Sequence, residues 1–165
     1  MRAWVARMPE PIVRVGLGFD VHGWATGGTL WLGGVRFDGH PALAAHSDGD
    51  VVCHAIADAL LGAAGLGDLG EHFPEDEAST AGVSGPAILA TVRRLVTDAG
   101  WTPGSCDATV ICDRPVISPR REAMQTTIAD ALGCPVDAVS VKATRPEGLG
   151  LVGDGVGCMA VATLA

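Results

Sequence analysis

The chain is short of positive charge. Its 165 residues carry 11 Lys and Arg against 19 Asp and Glu, a formal net charge of −8 at pH 7. That deficit argues against the basic patch a nucleic-acid or anionic-membrane surface needs. It also means that any phosphate ligand must be held by metal ions, helix N-termini or a few placed cations. Cysteine is sparse and unpaired in pattern: Cys53, Cys106, Cys112, Cys134 and Cys158 include no C-x-x-C. A disulfide framework or zinc knuckle is therefore not expected, and a reducing cytoplasm is. No apolar run is long enough to span a bilayer. The first ten residues, with Arg2, Arg7, Pro9 and Glu10, lack the apolar core of a signal peptide.

Several catalytic signatures are missing as well. There is no G-x-x-x-x-G-K-[ST], which removes a P-loop nucleotide hydrolase, and no G-x-S-x-G nucleophile elbow. G-x-G-x-x-G occurs at Gly65, Gly67 and Gly70 and again at Gly148, Gly150 and Gly153. The first follows a helical pattern and the second precedes a strand pattern, so neither has the strand–turn–helix context of a dinucleotide site. Both read as glycine-rich turns.

What is present is the making of one globular domain: 48% apolar and 18% charged residues. Alternation around Val13, Val15 and Leu17 predicts a strand over 12–19, ending where Asp20 appears. A second strand is expected over 29–37, after a turn at Gly27 and Gly28. A helix over 51–64 has Asp48 and Asp50 as candidate caps and Gly65 as its stop. Residues 67–81 read as an acidic loop. A helix over 86–99 follows, with Ser84 or Gly85 as cap. Then come a strand over 107–113, a helix over 119–132 capped by Ser118, and strands over 138–144 and 157–163. The mixture predicts an α/β (α+β) fold.

Asp20 and His22 share one side of a strand end if the extended conformation continues. His54 and Asp58, four apart, share a helix face. Two imidazoles and a carboxylate can hold a divalent cation and leave a position open, as catalytic sites do. Asp58, one helical turn beyond His54, is a candidate carboxylate to hold and orient that imidazole from behind. The ligand types suit Zn²⁺ and also admit Mn²⁺ or Fe²⁺. His46 and Ser47 precede the helix start, where they either cap it or help receive an anion. Asp68 and Gly70 form a tight turn. Glu147 is either a solvated loop carboxylate or a ligand for a hard ion such as Mg²⁺ or Mn²⁺.

From Arg14 onward these residues resemble the 2-C-methyl-D-erythritol 2,4-cyclodiphosphate synthase family. The carriers are Gly18-Phe19-Asp20-Val21-His22, Ala45-His46-Ser47-Asp48-Gly49-Asp50 and Asp58-Ala59-Leu60-Leu61-Gly62. To these add Gly67-Asp68-Leu69-Gly70 with Phe73-Pro74, and Val141-Lys142-Ala143-Thr144 with Glu147-Gly148-Leu149-Gly150. The resemblance implies a single domain over 12–165, preceded by an extension over 1–11, with a mixed sheet packed against helices on one face. It implies a cytoplasmic homotrimer with active sites between subunits. Zn²⁺ would sit on Asp20, His22 and His54, and Glu147 would help hold a second divalent ion, Mg²⁺ or Mn²⁺. His46, Ser47, Asp68, Gly70 and Phe73 would contact the substrate's phosphate and methylerythritol parts. The cytidine diphosphate part would meet the neighbouring subunit at Cys112, Asp113, Arg114, Pro115, Thr144 and Arg145.

The implied reaction is an intramolecular attack of a 2-phosphate on a β-phosphorus with loss of CMP, a phosphorus–oxygen lyase step that needs no protein nucleophile. Three segments depart from the family pattern. Arg114-Pro115-Val116 lacks the usual Lys after Pro. Thr144-Arg145-Pro146 replaces three Thr, and Asp154 stands where an Arg faces the trimer axis in relatives, so an axial anion is not expected here. The first two changes favour an alternative, a paralogue that binds metal and ligand but cyclises weakly or not at all; a metal-dependent phosphohydrolase acting on another nucleotide diphosphate is a third reading.

Overall fold

The computed structural model describes residues 12–74, 80–150 and 152–165. The expected extension over 1–11 and the acidic stretch over 75–79 lie outside the described residues. Strand β1, Arg14–Gly23, pairs antiparallel with the last strand, β6, Gly155–Leu164. β6 pairs antiparallel with β4, Pro103–Ile111, and β4 runs parallel to β5, Val139–Thr144. The sheet order is therefore β1-β6-β4-β5, mixed as expected. The single parallel pair needs a crossover, and helix α4, Arg121–Leu132, provides it after a short 3-10 turn at Ser118–Arg120.

β1 runs four residues further than the apolar alternation predicts. Asp20 and His22 keep their ladder partners, Cys158 and Val156, so both side chains are fixed by the sheet rather than by a loop. The expected second strand is in fact a hairpin, β2 (Leu30–Leu32) and β3 (Val35–Phe37). Gly33 and Gly34 between them have φ of 59° and 72°, the positive values that a two-residue I′ turn requires at both centres.

Helix α1, Val51–Ala64, is buried nearly all round because it lies between the sheet and helix α3, Gly85–Asp98. Its approach to β1 is unusually close. Gly16 and Gly18 face Ala59 and Ala55, and a Cβ on either glycine would be driven into the helix backbone. The helices thus cover one face of the sheet. The other face of β1 and β6 carries Val15, Leu17, Phe19, Val21, Met159 and Val161 exposed, Leu17 at 65%.

Capping differs in detail from the sequence expectation. Asp50 alone caps α1, accepting from Val52 and Cys53 N–H at 3.1 Å each. The same buried carboxylate accepts from Gly33 N–H at 2.7 Å and Gly34 N–H at 2.6 Å, so it joins the hairpin turn to α1. Asp48 serves a different helix: its Oδ2 accepts from Gly85 N–H at 2.7 Å, at the start of α3, where Ser84 makes no side-chain cap bond. Ser118 makes none either, because a 3-10 turn precedes α4.

Candidate metal centre and its cleft

Asp20 and His22 project from the same side of β1, and α1 brings His54 against them. Asp20 Oδ2 lies 3.2 Å from His22 Nε2 and 2.9 Å from His54 Nδ1. The ligand atoms of all three residues lie within 4.8 Å of one another. Donors about 2.0–2.1 Å from a tetrahedral Zn²⁺ stand roughly 3.3 Å apart, so the cluster matches such a site with little movement. Burial pushes the Asp20 carboxyl up, but hydrogen bonds and charge from His22 and His54 outweigh it. The group sits well below the usual carboxylate range and is ionised, as a ligand must be. Behind His54, Nε2 lies 3.1 Å from Ser47 Oγ and 4.0 Å from Asp48 Oδ1. Burial, and then the neighbouring charge of Asp50, raise the Asp48 carboxyl.

The cluster forms one wall of a cleft of about 180 Å³ that His46, Ser47, Gly70 and Phe73 also line. The family resemblance implies that all four contact the substrate. Ala45, Leu69, Thr80 and Ile88 complete the lining. These were not expected, because nothing in an Ala, Leu or Ile marks it as a wall until the fold is known. Helix α2, Leu69–His72, is a single turn inside what reads as a loop. Asp68 caps it, accepting from Glu71 N–H at 3.1 Å. Asp58 accepts from Leu69 N–H at 2.7 Å and so anchors the start of that turn beside the cleft. Burial raises the Asp58 carboxyl against the lowering effect of that hydrogen bond.

The residues expected on the cytidine side gather elsewhere. Cys112, Asp113, Pro115, Thr144 and Arg145 line a second hollow of about 210 Å³, which shares no residue with the first. Arg114 turns away from it into a third, where its guanidinium lies 5.2 Å from the Trp24 ring centroid, near Asp154. Glu147 has a φ of 51° in the exposed turn after β5 and joins neither hollow. Within one chain, then, the structure unites the Asp20 cluster with its cleft and keeps both apart from the Cys112–Arg145 group.

A mixed sheet whose strand end and covering helix converge on two imidazoles and a carboxylate defines an α/β protein with a possible metal-binding group beside a cleft. A model of the YgbB family matches residues 13–165. The 2-C-methyl-D-erythritol 2,4-cyclodiphosphate synthase of Salinibacter ruber is 49% identical over 92% of this chain and 98% of its own length. The bifunctional enzyme IspD/IspF of Erythrobacter litoralis is 49% identical over 91% of this chain, which spans only 39% of that longer relative. A solved 2C-methyl-D-erythritol-2,4-cyclodiphosphate synthase, in its CDP-bound form, superposes with a TM-score of 0.84 at 33% identity, covering 92% of this chain and all of the other. The chain belongs to the YgbB family of cyclodiphosphate synthases.

Proposed function

We propose that the chain converts 4-diphosphocytidyl-2-C-methyl-D-erythritol 2-phosphate to the 2,4-cyclodiphosphate with release of CMP, as a phosphorus–oxygen lyase of isoprenoid precursor synthesis. The observation that carries this reading is the Asp20–His22–His54 cluster lining a cleft, in a chain alike over nearly its whole length to named synthases. Those likenesses favour the synthase over the non-cyclising and phosphohydrolase readings.

Nucleophile and electrophile belong to one molecule, so the chain's task is to hold it bent with the 2-phosphate in line with the β-phosphorus. His46, Ser47 and the α2 turn carrying Gly70 hold the methylerythritol and phosphate end. Zn²⁺ is the cation we assign to Asp20, His22 and His54; when bound, it neutralises phosphate charge and polarises the electrophile. Glu147 is the candidate holder of a second divalent ion, Mg²⁺ or Mn²⁺. Cys112, Asp113, Pro115 and Thr144 receive the cytidine, with Arg145 supplying positive charge at the diphosphate. Arg114, beside Trp24, is not part of that hollow.

The two separate hollows support a site completed by a neighbouring subunit. The exposed apolar face of β1 and β6 supports a homotrimer as the assembly that brings them together. Five unpaired thiols support a reducing, cytoplasmic location. A ³¹P NMR time course with the substrate, Zn²⁺ and Mg²⁺ tests the reading. CMP and cyclic-diphosphate resonances are expected from the wild type and are lost in His54→Ala and Glu147→Ala. An unchanged substrate spectrum from folded, zinc-loaded protein refutes it.

A further inference from the structure

Ser47 lines the cleft beside His54, and its hydroxyl has only one proton to give. Its Oγ accepts from Gly49 N–H at 3.2 Å and lies 3.1 Å from His54 Nε2. The other ring nitrogen of His54, Nδ1, lies 2.9 Å from Asp20 Oδ2. A neutral imidazole carries a proton on one nitrogen and a lone pair on the other. Facing an ionised carboxylate, Nδ1 holds the proton and donates it to Asp20. Nε2 is then an acceptor, and the Ser47 O–H points inward to it.

A cation on the Nδ1 lone pair reverses this arrangement. The imidazole proton must then sit on Nε2, and the hydrogen bond to Ser47 changes direction: Nε2–H donates and Oγ accepts. Asp48 Oδ1, 4.0 Å from Nε2, places negative charge on the side that favours this form. Ser47 Oγ now accepts from both Gly49 and His54, and its own proton turns to the cleft that it lines with Asp20, His22 and His46.

We propose that Ser47 is a polarity relay: metal binding turns its hydroxyl from a donor to His54 into a donor to a phosphate oxygen in the cleft. Resting on the metal and phosphate sites assigned above, it adds that the two sites are coupled through one hydroxyl. Linkage makes the coupling reciprocal, so an anion in the cleft also tightens the metal.

The test uses the full chain, Zn²⁺ as the metal and methyl phosphate as the anion. Ring ¹⁵N shifts of His54 are expected to show the proton on Nδ1 in chelator-treated protein and on Nε2 after zinc loading. Titration calorimetry is expected to show methyl phosphate binding tightened by zinc. Direct attraction between cation and anion contributes to that gain in every variant. The relay's share is therefore the part lost in Ser47→Ala, about tenfold for a charge-assisted hydrogen bond, and recovered in Ser47→Thr. Circular dichroism and zinc stoichiometry verify that the variants fold and load. The relay is overturned by a His54 proton on Nε2 in both states, by no zinc-dependent gain in the wild type, or by an equal gain in Ser47→Ala. A chain that passes these tests yet releases no CMP refutes the synthase reading and leaves the relay standing.

Discussion

Replacing Gly18 with Ala tests whether the proposed metal centre depends on the close approach of α1 to β1. A Cβ at Gly18 would meet Ala59 N at 2.7 Å, with the Ala55 carbonyl oxygen closer still. Ordinary van der Waals contact begins near 3.4 Å, so the helix must withdraw by at least about 0.7 Å. The obstacle is helix backbone, which has no rotamer to change, so the upper end of overpacking costs applies, roughly 3 kcal/mol. The lower unfolded-state entropy of Ala offsets about 0.4–1 kcal/mol of that. The net loss of about 2–3 kcal/mol lowers Tm by about 4–12 °C in a domain of this size. The wedge also acts on the site. Gly18 precedes Asp20 by two residues on β1, and Ala55 follows His54 on α1, so separating the elements separates two proposed ligands now 2.9 Å apart. Metal sites tolerate about 0.2 Å, and zinc affinity falls with stability. Differential scanning calorimetry at fixed protein concentration, with zinc stoichiometry after dialysis, measures both. Gly27→Ala is the control, since nothing lies within 4 Å of its added Cβ. A Gly18→Ala protein that melts within about 1 °C of wild type and retains full zinc refutes the reasoning.

Asp50→Ala strands the four N–H groups that share one carboxylate. It should cost about 4 kcal/mol or more in urea unfolding, with Asp50→Asn intermediate; equal losses would show that charge rather than acceptor count matters. Burial pushes the Cys106 thiol up to about 12. Above the thiol's ordinary value of 9.0 the unfolded chain loses a proton that the folded chain keeps, so stability falls as pH rises from 9 towards 12. Urea midpoints across that window should decline less steeply in Cys106→Ala, and an unchanged slope contradicts the assignment. Leu17→Asp places a charge on the bare sheet face and should yield monomers by sedimentation velocity with near-native circular dichroism. An intact trimer would show that this face is not the contact.

The site was more legible in the sequence than the sheet was. Asp20, His22 and His54 could be read as a candidate cluster because ligand chemistry restricts which residue types serve and the strand period puts Asp20 and His22 on one side, while it was the family resemblance that joined His54 to them. The continuation of β1 past Phe19 was not legible, since polar ligands break the apolar alternation that marks a strand. The hairpin at Gly33-Gly34 looked like one strand because apolar residues continue on both sides of a two-residue turn. Asp48 was read as a cap for the nearest helix, whereas it caps α3, 37 residues away, a pairing set only by tertiary packing. The alternation in β1 did mark a strand, but its apolar residues face outward. The inner positions are glycines, whose small size becomes meaningful only once α1 is seen against them.

The separation of the two hollows has a genetic consequence under the proposed assembly. A chain defective at His54 still offers an intact cytidine-side surface, and a chain altered at Thr144 still offers an intact metal cleft. Mixed in one trimer, they form some boundaries where two sound surfaces meet. Two alleles that are each inactive alone would then complement one another in the same cell, because each chain supplies the surface that the other has lost.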